Sequence, residues 1–364
     1  MMNLDDTGAL RAGDPSGMLG HLEGFPEQLE RALEIGRRAT LTLSGRGARA
    51  VVVAGMGGSA IGGEIAAAHL AGSISVPMIV VRNYEMPAFV GADTVVVAAS
   101  YSGNTEETLA AYRDAHARGA RVLCVTTGGE LAARAADDGH DVIAIPGGLP
   151  PRAALGYGLV PLLVSLARLG LSPDPGEDVA DAVAVCRRSV AAHGAAAPAA
   201  RNPAKEIAGW LCGGLPVIYG TTPRTAAAAS RWCGQLAENS KVVAHRAEIP
   251  EMNHNEIVGW SGERPLCGSA RVVFLGDPGD HPRNALRADF TRREVEAAGA
   301  AARVVTAAGA TALGRLMSLV SLGDFVSVYL AALGGVDPTP VEPIGRLKSA
   351  LGEAPAEPSS GRIS

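Results

Sequence analysis

The sequence predicts an α/β protein of two doubly wound domains, each an αβα sandwich around a mainly parallel five-stranded sheet. Three observations lead to this prediction. The chain has 364 residues, which is enough for two domains. Short, unbroken apolar runs such as 50–54 and 94–99 alternate with helical patterns, as buried parallel strands do. Loops rich in glycine and serine follow these two runs, at 55–63 and 100–108.

The first half of the chain predicts a loose N-terminal arm over 1–20 and a first domain over 21–170. Apolar residues at helical spacing predict a helix near the start of this domain, with Pro26 close to its beginning. The predicted strands are 50–54, 78–82, 94–99, 121–126 and 141–145, and the predicted helices are 21–44, 64–70, 106–118 and 153–170.

The second half repeats this plan after a segment rich in proline, aspartate and alanine. We interpret 171–200 as a linker that contains a helix over 177–193, and 201–336 as the second domain. Its predicted strands are 215–220, 242–247, 271–275 and 303–306, and its predicted helices are 224–239, 281–298 and 313–333. A C-terminal helix is predicted within 337–352, followed by a polar tail over 353–364 that we expect to be disordered.

Composition excludes several classes of protein. The chain has 37 acidic and 32 basic residues, a net charge of −5, which argues against a dedicated nucleic-acid binder. No clean apolar run reaches about 18 residues, so we expect no membrane span. Five scattered cysteines without a CxxC pair predict reduced thiols, no metal site and a cytoplasmic location. The first eleven residues are acidic and lack the apolar core of a signal peptide.

The glycine cluster Gly55-Met-Gly-Gly-Ser59 lies where a predicted strand leads into a helix. Backbone N–H groups at such a place attract phosphate, and glycines allow close approach, so Gly58 and Ser59 are candidate anion-binding residues. A dinucleotide site is a competing interpretation, because Gly55, Gly57 and Ala60 fit G-x-G-x-x-A. An arginine, not an acid, follows the next strand and would suit NADP. A plain tight turn without ligand is the third interpretation.

The second cluster, Ser100-Tyr-Ser-Gly-Asn-Thr105, carries three hydroxyl side chains in six residues before a helix. Neutral donors and a helix N-terminus suit a phosphomonoester. Neither loop contains the lysine that would hold ATP phosphates, so we expect a sugar phosphate and neither cofactor nor metal. Helix capping by Ser100, Ser102 and Thr105 is the competing structural interpretation.

Taken together, these loops resemble the sugar-isomerase (SIS) domain. Nearly the whole chain, about 15–351, resembles the bifunctional phosphoglucose/phosphomannose isomerases. The motifs that carry this resemblance are Pro151-Arg-Ala-Ala-Leu-Gly156, Glu238-Asn-Ser-Lys241, Asn253-His-Asn-Glu-Ile257, Ser327-Val-Tyr-Leu330 and Asp337-Pro-Thr-Pro340 with Leu347-Lys348. The resemblance implies two SIS-type domains and a homodimer with sites at domain and subunit boundaries.

The resemblance also implies roles in aldose–ketose isomerisation through a cis-enediol. Glu238 matches the base that moves a proton between C2 and C1, and Arg152 matches the arginine that stabilises the enediolate. His254, supplied across the dimer interface, and Lys348 match the residues that open the sugar ring. The implied phosphate site is Gly58, Ser59, Ser100, Ser102 and Thr105, and Thr339 is a small polar residue that would let one site accept both sugars.

Each of these four catalytic candidates has an ordinary structural alternative. Glu238, Arg152 and Lys348 fit surface residues equally well when each is considered alone, and Glu256 either orients His254 or caps the next helix. Only three of the 32 basic residues are lysines, however, which favours a specific need at Lys205, Lys241 and Lys348.

Two other functions stay open at this point. A non-catalytic SIS protein that senses a phosphosugar needs the phosphate loops but not the acid–base residues, and an isomerase of another phosphosugar needs both. An NADP-dependent oxidoreductase would rest on the glycine cluster and Arg82.

Overall fold

The computed structural model describes residues 2–262 and 265–353, which form two α/β units packed together. The first unit contains α1 (Thr7–Ala12), α2 (Met18–Glu23), α3 (Phe25–Arg38), β1 (Ala50–Ala54), α4 (Gly57–Leu70), β2 (Met78–Val81), β3 (Thr94–Ser100), α5 (Glu106–Ala117), β4 (Arg121–Thr126), α6 (Gly129–Asp137), β5 (Asp141–Ala144) and α7 (Leu155–Arg168). The second contains α8 (Gly176–His193), α9 (Pro203–Leu211), β6 (Leu215–Thr221), α10 (Arg224–Ser240), β7 (His245–Ile249), α11 (Pro265–Ser269), β8 (Ala270–Gly276), α12 (Pro282–Ala297), β9 (Ala301–Thr306), α13 (Ala312–Gly334) and α14 (Glu342–Glu353).

The first sheet has five parallel strands, as predicted, and their order is β2-β1-β3-β4-β5. Its central strands are buried on both faces, because α4 and α7 cover one side and α5 and α6 the other. This two-sided burial explains why the strands have unbroken apolar sequences such as Val51-Val-Val53. The sheet order changes direction between β1 and β3, so the loops that follow these two strands border one crevice.

The second sheet corrects one part of the prediction. Among the described residues it has four parallel strands, in the order β7-β6-β8-β9, and not five. After β9 the chain turns directly into the long helix α13, so no described strand pairs with the outer edge of β9. Val304 on that edge strand is 58% exposed.

Helix α13 is the central packing element of the molecule. It packs against α8, α9 and α10, and nearly all of its residues between Leu313 and Ala331 are buried. By length and composition alone this helix could cross a membrane, but 83% of its most apolar window is buried inside the protein. The structure therefore accounts for its apolar character as that of a core helix.

Two segments predicted to lie outside the domains are part of the packed core. The predicted arm, 1–20, contains α1 and the start of α2, and buries Leu10 and Met18. The carboxylate of Asp14 holds this turn by accepting the N–H groups of Met18 and Leu19, both at 2.8 Å. The predicted linker, 171–200, does contain its helix, α8, but that helix packs on α3 and α13. The polar composition of both segments hid their burial, because each segment buries only one narrow face.

The C-terminal helix begins at Glu342 and reaches Glu353. Between Glu342 and Gly352 every residue is exposed, including Ile344, Leu347 and Leu351. The prediction of a disordered tail concerns 353–364, and 354–364 lie outside the described residues.

Candidate active site

The glycine loop after β1 brings the backbone of α4 close to a short 3-10 helix, Pro151–Ala153. Gly57 begins α4 with φ of +50°, a conformation that disfavours residues with a side chain. A Cβ atom on Gly58 would lie 2.7 Å from the carbonyl oxygen of Pro151. Gly58 therefore allows the close contact that places Arg152 beside the loop.

The hydroxyl loop after β3 is organised by its own side chains. Ser100 Oγ lies 2.9 Å from Thr105 Oγ1 and accepts the N–H of Gly103 at 3.1 Å. Ser102 Oγ accepts the N–H of Asn104 at 3.2 Å. Thr105 is the N-cap residue of α5, but its side chain makes no capping hydrogen bond. Simple helix capping by Thr105 therefore does not explain this loop.

Ser59 links the two loops. Its Oγ accepts the N–H of Tyr101 at 3.3 Å, so the glycine loop and the hydroxyl loop lie against each other at the carboxyl edge of the sheet. The structure thus brings together all five predicted phosphate-binding residues. The N-terminal ends of α4 and α5 both lie here, and their dipoles favour an anion.

Glu238 approaches this edge from the second unit, on the last turn of α10. Its carboxylate Oε2 lies 3.4 Å from Nη1 of Arg152, and the Glu238 side chain is 31% exposed. Arg152 is buried, and its other nitrogens donate to Asn239 Oδ1 at 2.6 Å and to the carbonyl oxygens of Pro338 and Thr339, both at 2.8 Å. Only one of its guanidinium nitrogens faces the glutamate.

A buried ion pair beneath these residues fixes their positions, and sequence patterns did not predict it. Arg231 on α10 contacts Asp324 on α13 at 2.8 Å, and Gln235 donates to the same carboxylate at 3.0 Å. Arg231 also donates to the carbonyl oxygen of Arg152 at 2.8 Å. Burial raises the pKa of Asp324, and the guanidinium of Arg231 opposes this. The only sequence signal was a single aspartate within the apolar pattern of α13.

Lys241 lies beside Glu238, and Thr339 lies beside Arg152. Lys241 has φ of +58° at the end of α10, and its Nζ donates to the carbonyl oxygens of Glu238 and, at 3.0 Å, Pro338. Burial lowers the pKa of Lys241, and the nearby charge of Arg152 lowers it further. Thr339 Oγ1 is buried and has no hydrogen-bond partner among the described residues. The scarcity of lysine in the sequence was the signal for Lys241.

Glu238 borders two cavities. One of about 150 Å³ is shared with Gly57, Gly58 and Arg152, and so joins the glycine loop to the carboxylate. The other, of about 700 Å³, is bordered by Lys241, Asp337 and the beginning of α14. A ligand in the first cavity would contact both units of the chain.

The structure of the single chain does not bring His254 or Lys348 to this place. His254 ends a 3-10 helix after β7, and Lys348 lies in the middle of α14. Both are exposed, and neither side chain has a hydrogen bond or ion pair with any residue that the structure describes. Glu256 does not orient His254, because its carboxylate contacts His245 at 2.9 Å and accepts the hydroxyl of Tyr219.

The second unit has its own crevice between β6 and β8, at the same topological position. Asp277 lies at its base with a buried side chain, and contacts Arg224 at 2.7 Å and Arg315 at 2.6 Å. Burial alone would raise the pKa of Asp277, but hydrogen bonds from the Gly279 N–H and both guanidiniums lower it overall. An ionised carboxylate occupies the place where the first unit presents hydroxyls.

Arg82, the residue behind the dinucleotide interpretation, is ion-paired with Glu64, whose carboxylate also accepts the hydroxyl of Ser230 at 3.3 Å. Its guanidinium is therefore already neutralised by a neighbouring carboxylate. Arg82 also lines the cavity beside the glycine loop, but that cavity of about 150 Å³ suits a compact phosphate monoester better than a dinucleotide.

Family comparisons agree with this geometry. Residues 46–148 match the SIS domain, and residues 200–351 match the bacterial phospho-glucose isomerase C-terminal SIS domain. A hypothetical protein of known structure from Thermus thermophilus superposes with a TM-score of 0.70 at 17% identity, covering 95% of this chain and 92% of the other. The chain is thus a protein of two SIS-type domains.

Curated relatives specify the family. A bifunctional phosphoglucose/phosphomannose isomerase from Caldicellulosiruptor bescii is 42% identical over 92% of this chain and 99% of its own. A protein of the same name from Aquifex aeolicus is 40% identical over 83% of this chain and 90% of its own. The chain belongs to the bifunctional phosphoglucose/phosphomannose isomerase family, and the resemblance predicted from its motifs is confirmed.

Proposed function

We propose that this protein interconverts glucose 6-phosphate and mannose 6-phosphate with fructose 6-phosphate. The observation that carries the proposal is the cavity in which Glu238 and Arg152 face the glycine loop. A carboxylate beside a guanidinium, in a cavity shared with an anion-attracting glycine loop, is what proton transfer through an enediolate requires.

The phosphate group would bind between the two loops. Ser59, Ser100, Ser102 and Thr105 supply hydroxyl donors, and the N-terminal ends of α4 and α5 supply backbone N–H groups near Gly58. Neutral donors together with helix dipoles suit the single phosphate group of a sugar phosphate.

The chemical step is the transfer of a proton from C2 to C1 of the open-chain sugar. Glu238 takes the proton from C2 of the open aldose, and the electrons of the broken C–H bond form the C1–C2 double bond of a cis-enediolate. Arg152 stabilises the negative charge on its oxygen. The proton returns from Glu238 to C1, and a proton moves from the C2 hydroxyl to the C1 oxygen to give the ketose. Rotation about C2–C3 lets the base serve both aldoses. Thr339, whose carbonyl oxygen accepts a hydrogen bond from Arg152, is the small polar residue that we propose permits this rotation.

Ring opening would use His254 and Lys348, and we propose that a homodimer supplies His254 across the interface. Support comes from the single chain, where neither residue reaches Glu238 while both are exposed. Helix α14, which carries Lys348, exposes Ile344, Leu347 and Leu351 on one face by 43%, 59% and 42%. A helix with an uncovered apolar face gains stability by packing against a second copy.

The reaction is tested with coupled assays for glucose 6-phosphate and mannose 6-phosphate formation from fructose 6-phosphate, in the presence of EDTA. We expect activity in the wild type and a loss of at least about 100-fold in kcat for Glu238→Gln. Glu34→Gln, an exposed helical glutamate on α3, is the matched control and should retain full activity. An active Glu238→Gln variant would contradict the role of Glu238.

The dimer is tested by subunit complementation. Glu238→Gln and His254→Asn should each be inactive alone, because each lacks one residue of every site. Mixed dimers contain one site in which both wild-type residues are present, so mixing should restore up to about one quarter of the wild-type activity by random pairing. Absence of any recovery from mixed dimers would place His254 in the same chain as its Glu238.

The second candidate function is that of a non-catalytic phosphosugar sensor, and measurements of binding and turnover distinguish it from the isomerase. It predicts binding of fructose 6-phosphate without turnover, whereas an isomerase of another phosphosugar predicts turnover of that sugar only.

We also propose a cytoplasmic location, supported by five cysteines that are all free.

A further inference from the structure

Three side chains at the edge of the first sheet opposite the phosphate loops carry a further inference. His116 lies on the last turn of α5, Asp138 directly follows α6, and His140 directly precedes β5. One ligand atom from each of them lies within 4.8 Å of the other two. The proposed reaction uses none of these residues. We propose that His116, Asp138 and His140 form a surface site for a first-row divalent metal ion of the class that imidazole binds well, such as Zn²⁺ or Ni²⁺.

The spacing of the two imidazoles fits a shared ion. His116 Nδ1 lies 2.9 Å from His140 Nε2. Two nitrogens bound to one metal at about 2.0–2.1 Å are separated by about 2.9–3.4 Å, depending on coordination geometry. A small outward adjustment therefore replaces the hydrogen bond between the rings by two metal–nitrogen bonds. The carboxylate of Asp138 supplies the third ligand, and water completes the shell.

A buried tyrosine holds the three ligands in place. The hydroxyl of Tyr112 donates to Asp138 Oδ2 at 2.6 Å, and Asp138 Oδ1 lies 3.8 Å from Nε2 of His116. Because His116 faces His140 through its Nδ1, the Asp138 carboxylate turns toward Nδ1 when the three residues share one ion. The ring of Tyr112 contacts both imidazoles, stacked near His116 at 6.4 Å and edge-on to His140 at 5.9 Å. Such outer contacts orient ligands in metal sites and reduce the entropy lost on binding.

The backbone adds a favourable field for a cation. Helix α5 ends at Ala117 and α6 ends at Asp137, so two helix C-terminal ends converge on the three side chains. The electronegative end of a helix dipole stabilises a positive charge placed near its last turn. The residues are partly exposed, with 45% of the His116 side chain and 31% of the Asp138 side chain accessible, so an ion can reach them from solvent.

The test is calorimetric titration of the EDTA-treated, dialysed full-length protein with ZnCl₂. We expect the wild type to bind one Zn²⁺ per chain at this site. His140→Gln and Asp138→Asn should each weaken that binding at least about tenfold, because each removes one of three ligands. Asp138→Asn keeps an oxygen to accept the Tyr112 hydroxyl, so its fold is preserved. His21→Gln is the matched control and should bind Zn²⁺ as the wild type does.

A second measurement uses the same proteins without relying on isomerase activity. Saturating Zn²⁺ should raise the melting temperature of the wild type and of His21→Gln, since an ion that binds only the native state stabilises it. It should leave the melting temperatures of His140→Gln and Asp138→Asn unchanged. The proposal is overturned if the wild type binds no Zn²⁺, or if the two ligand variants bind it and are stabilised by it as strongly as the control.

Discussion

The two crevices of this protein lie at equivalent positions in two sheets of the same topology, yet they differ in charge. The crevice of the first unit is built from the hydroxyls of Ser59, Ser100 and Thr105 with glycine backbone between them. That of the second unit contains the buried carboxylate of Asp277, clamped by Arg224 and Arg315. The first can accept an anion, and the second already contains one.

This difference shows how one fold supports two roles. The second unit contributes Glu238 and the residues that support it, which it delivers from α10 to the first crevice. Its own crevice holds a cavity of about 280 Å³, but the carboxylates of Asp277, Asp280 and Asp289 line that cavity and disfavour a phosphate group. We therefore expect one phosphate site per chain, in the first unit, and the following changes test this asymmetry.

The largest effect is expected from Ser100→Ala. The variant loses the hydroxyl that organises the loop through Thr105 and the Gly103 N–H, so kcat/KM should fall by about 10- to 100-fold, mainly through KM. Thr222→Val removes the hydroxyl beside the end of β6 in the second unit. This variant should leave kcat and KM unchanged. Steady-state kinetics with fructose 6-phosphate provides the measurement. Equal losses in the two variants would show that the second crevice also holds substrate.

A smaller effect is expected from Asp277→Ser. The variant leaves two guanidiniums without their shared partner, and we expect a loss of about 2 kcal/mol in the free energy of unfolding. Asp93→Ser, which removes one member of an exposed ion pair with Arg49, should leave urea unfolding almost unchanged. The freed arginines should also let the variant bind inorganic phosphate at a second site per chain. A variant as stable as the control would show that the cluster does not hold the loops.

The smallest expected effect is on the pH dependence of folding stability, to which Asp277 contributes. The pKa of Asp277 is lowered in the folded state, so its stabilising contribution is present above the ordinary aspartate pKa of about 3.9 and is lost as pH falls through its lower folded value. Between pH 5 and 3, wild-type stability should therefore fall more steeply than that of Asp277→Asn. Urea midpoints at each pH measure this slope. Parallel slopes would show that other carboxylates dominate acid unfolding.

Sequence patterns predicted the strands of the first unit well because their signals are local, whereas the predicted helix 21–44 is two helices, α2 and α3, and α6 was not predicted. A strand followed by glycines or hydroxyls and then by a helix is encoded within about 15 residues, and the five strands lie where they were predicted. The strand count of the second sheet and the packing of the 1–20 segment depend on which distant surface each segment meets. The burial of Leu10 and the pairing of Arg231 with Asp324 have no local signature.

The sequence by itself determined the fold class, the family and the position of the glycine loop and the hydroxyl loop, because short motifs at strand ends specify backbone geometry directly. Only the tertiary structure decided that Arg152 faces Glu238, that Lys241 contacts Pro338, and that His254 and Lys348 stay away from them in one chain. The physical reason is sequence separation. Residues far apart along the chain meet only through packing of α10 and α13, and packing energies depend on all the surfaces that fit together.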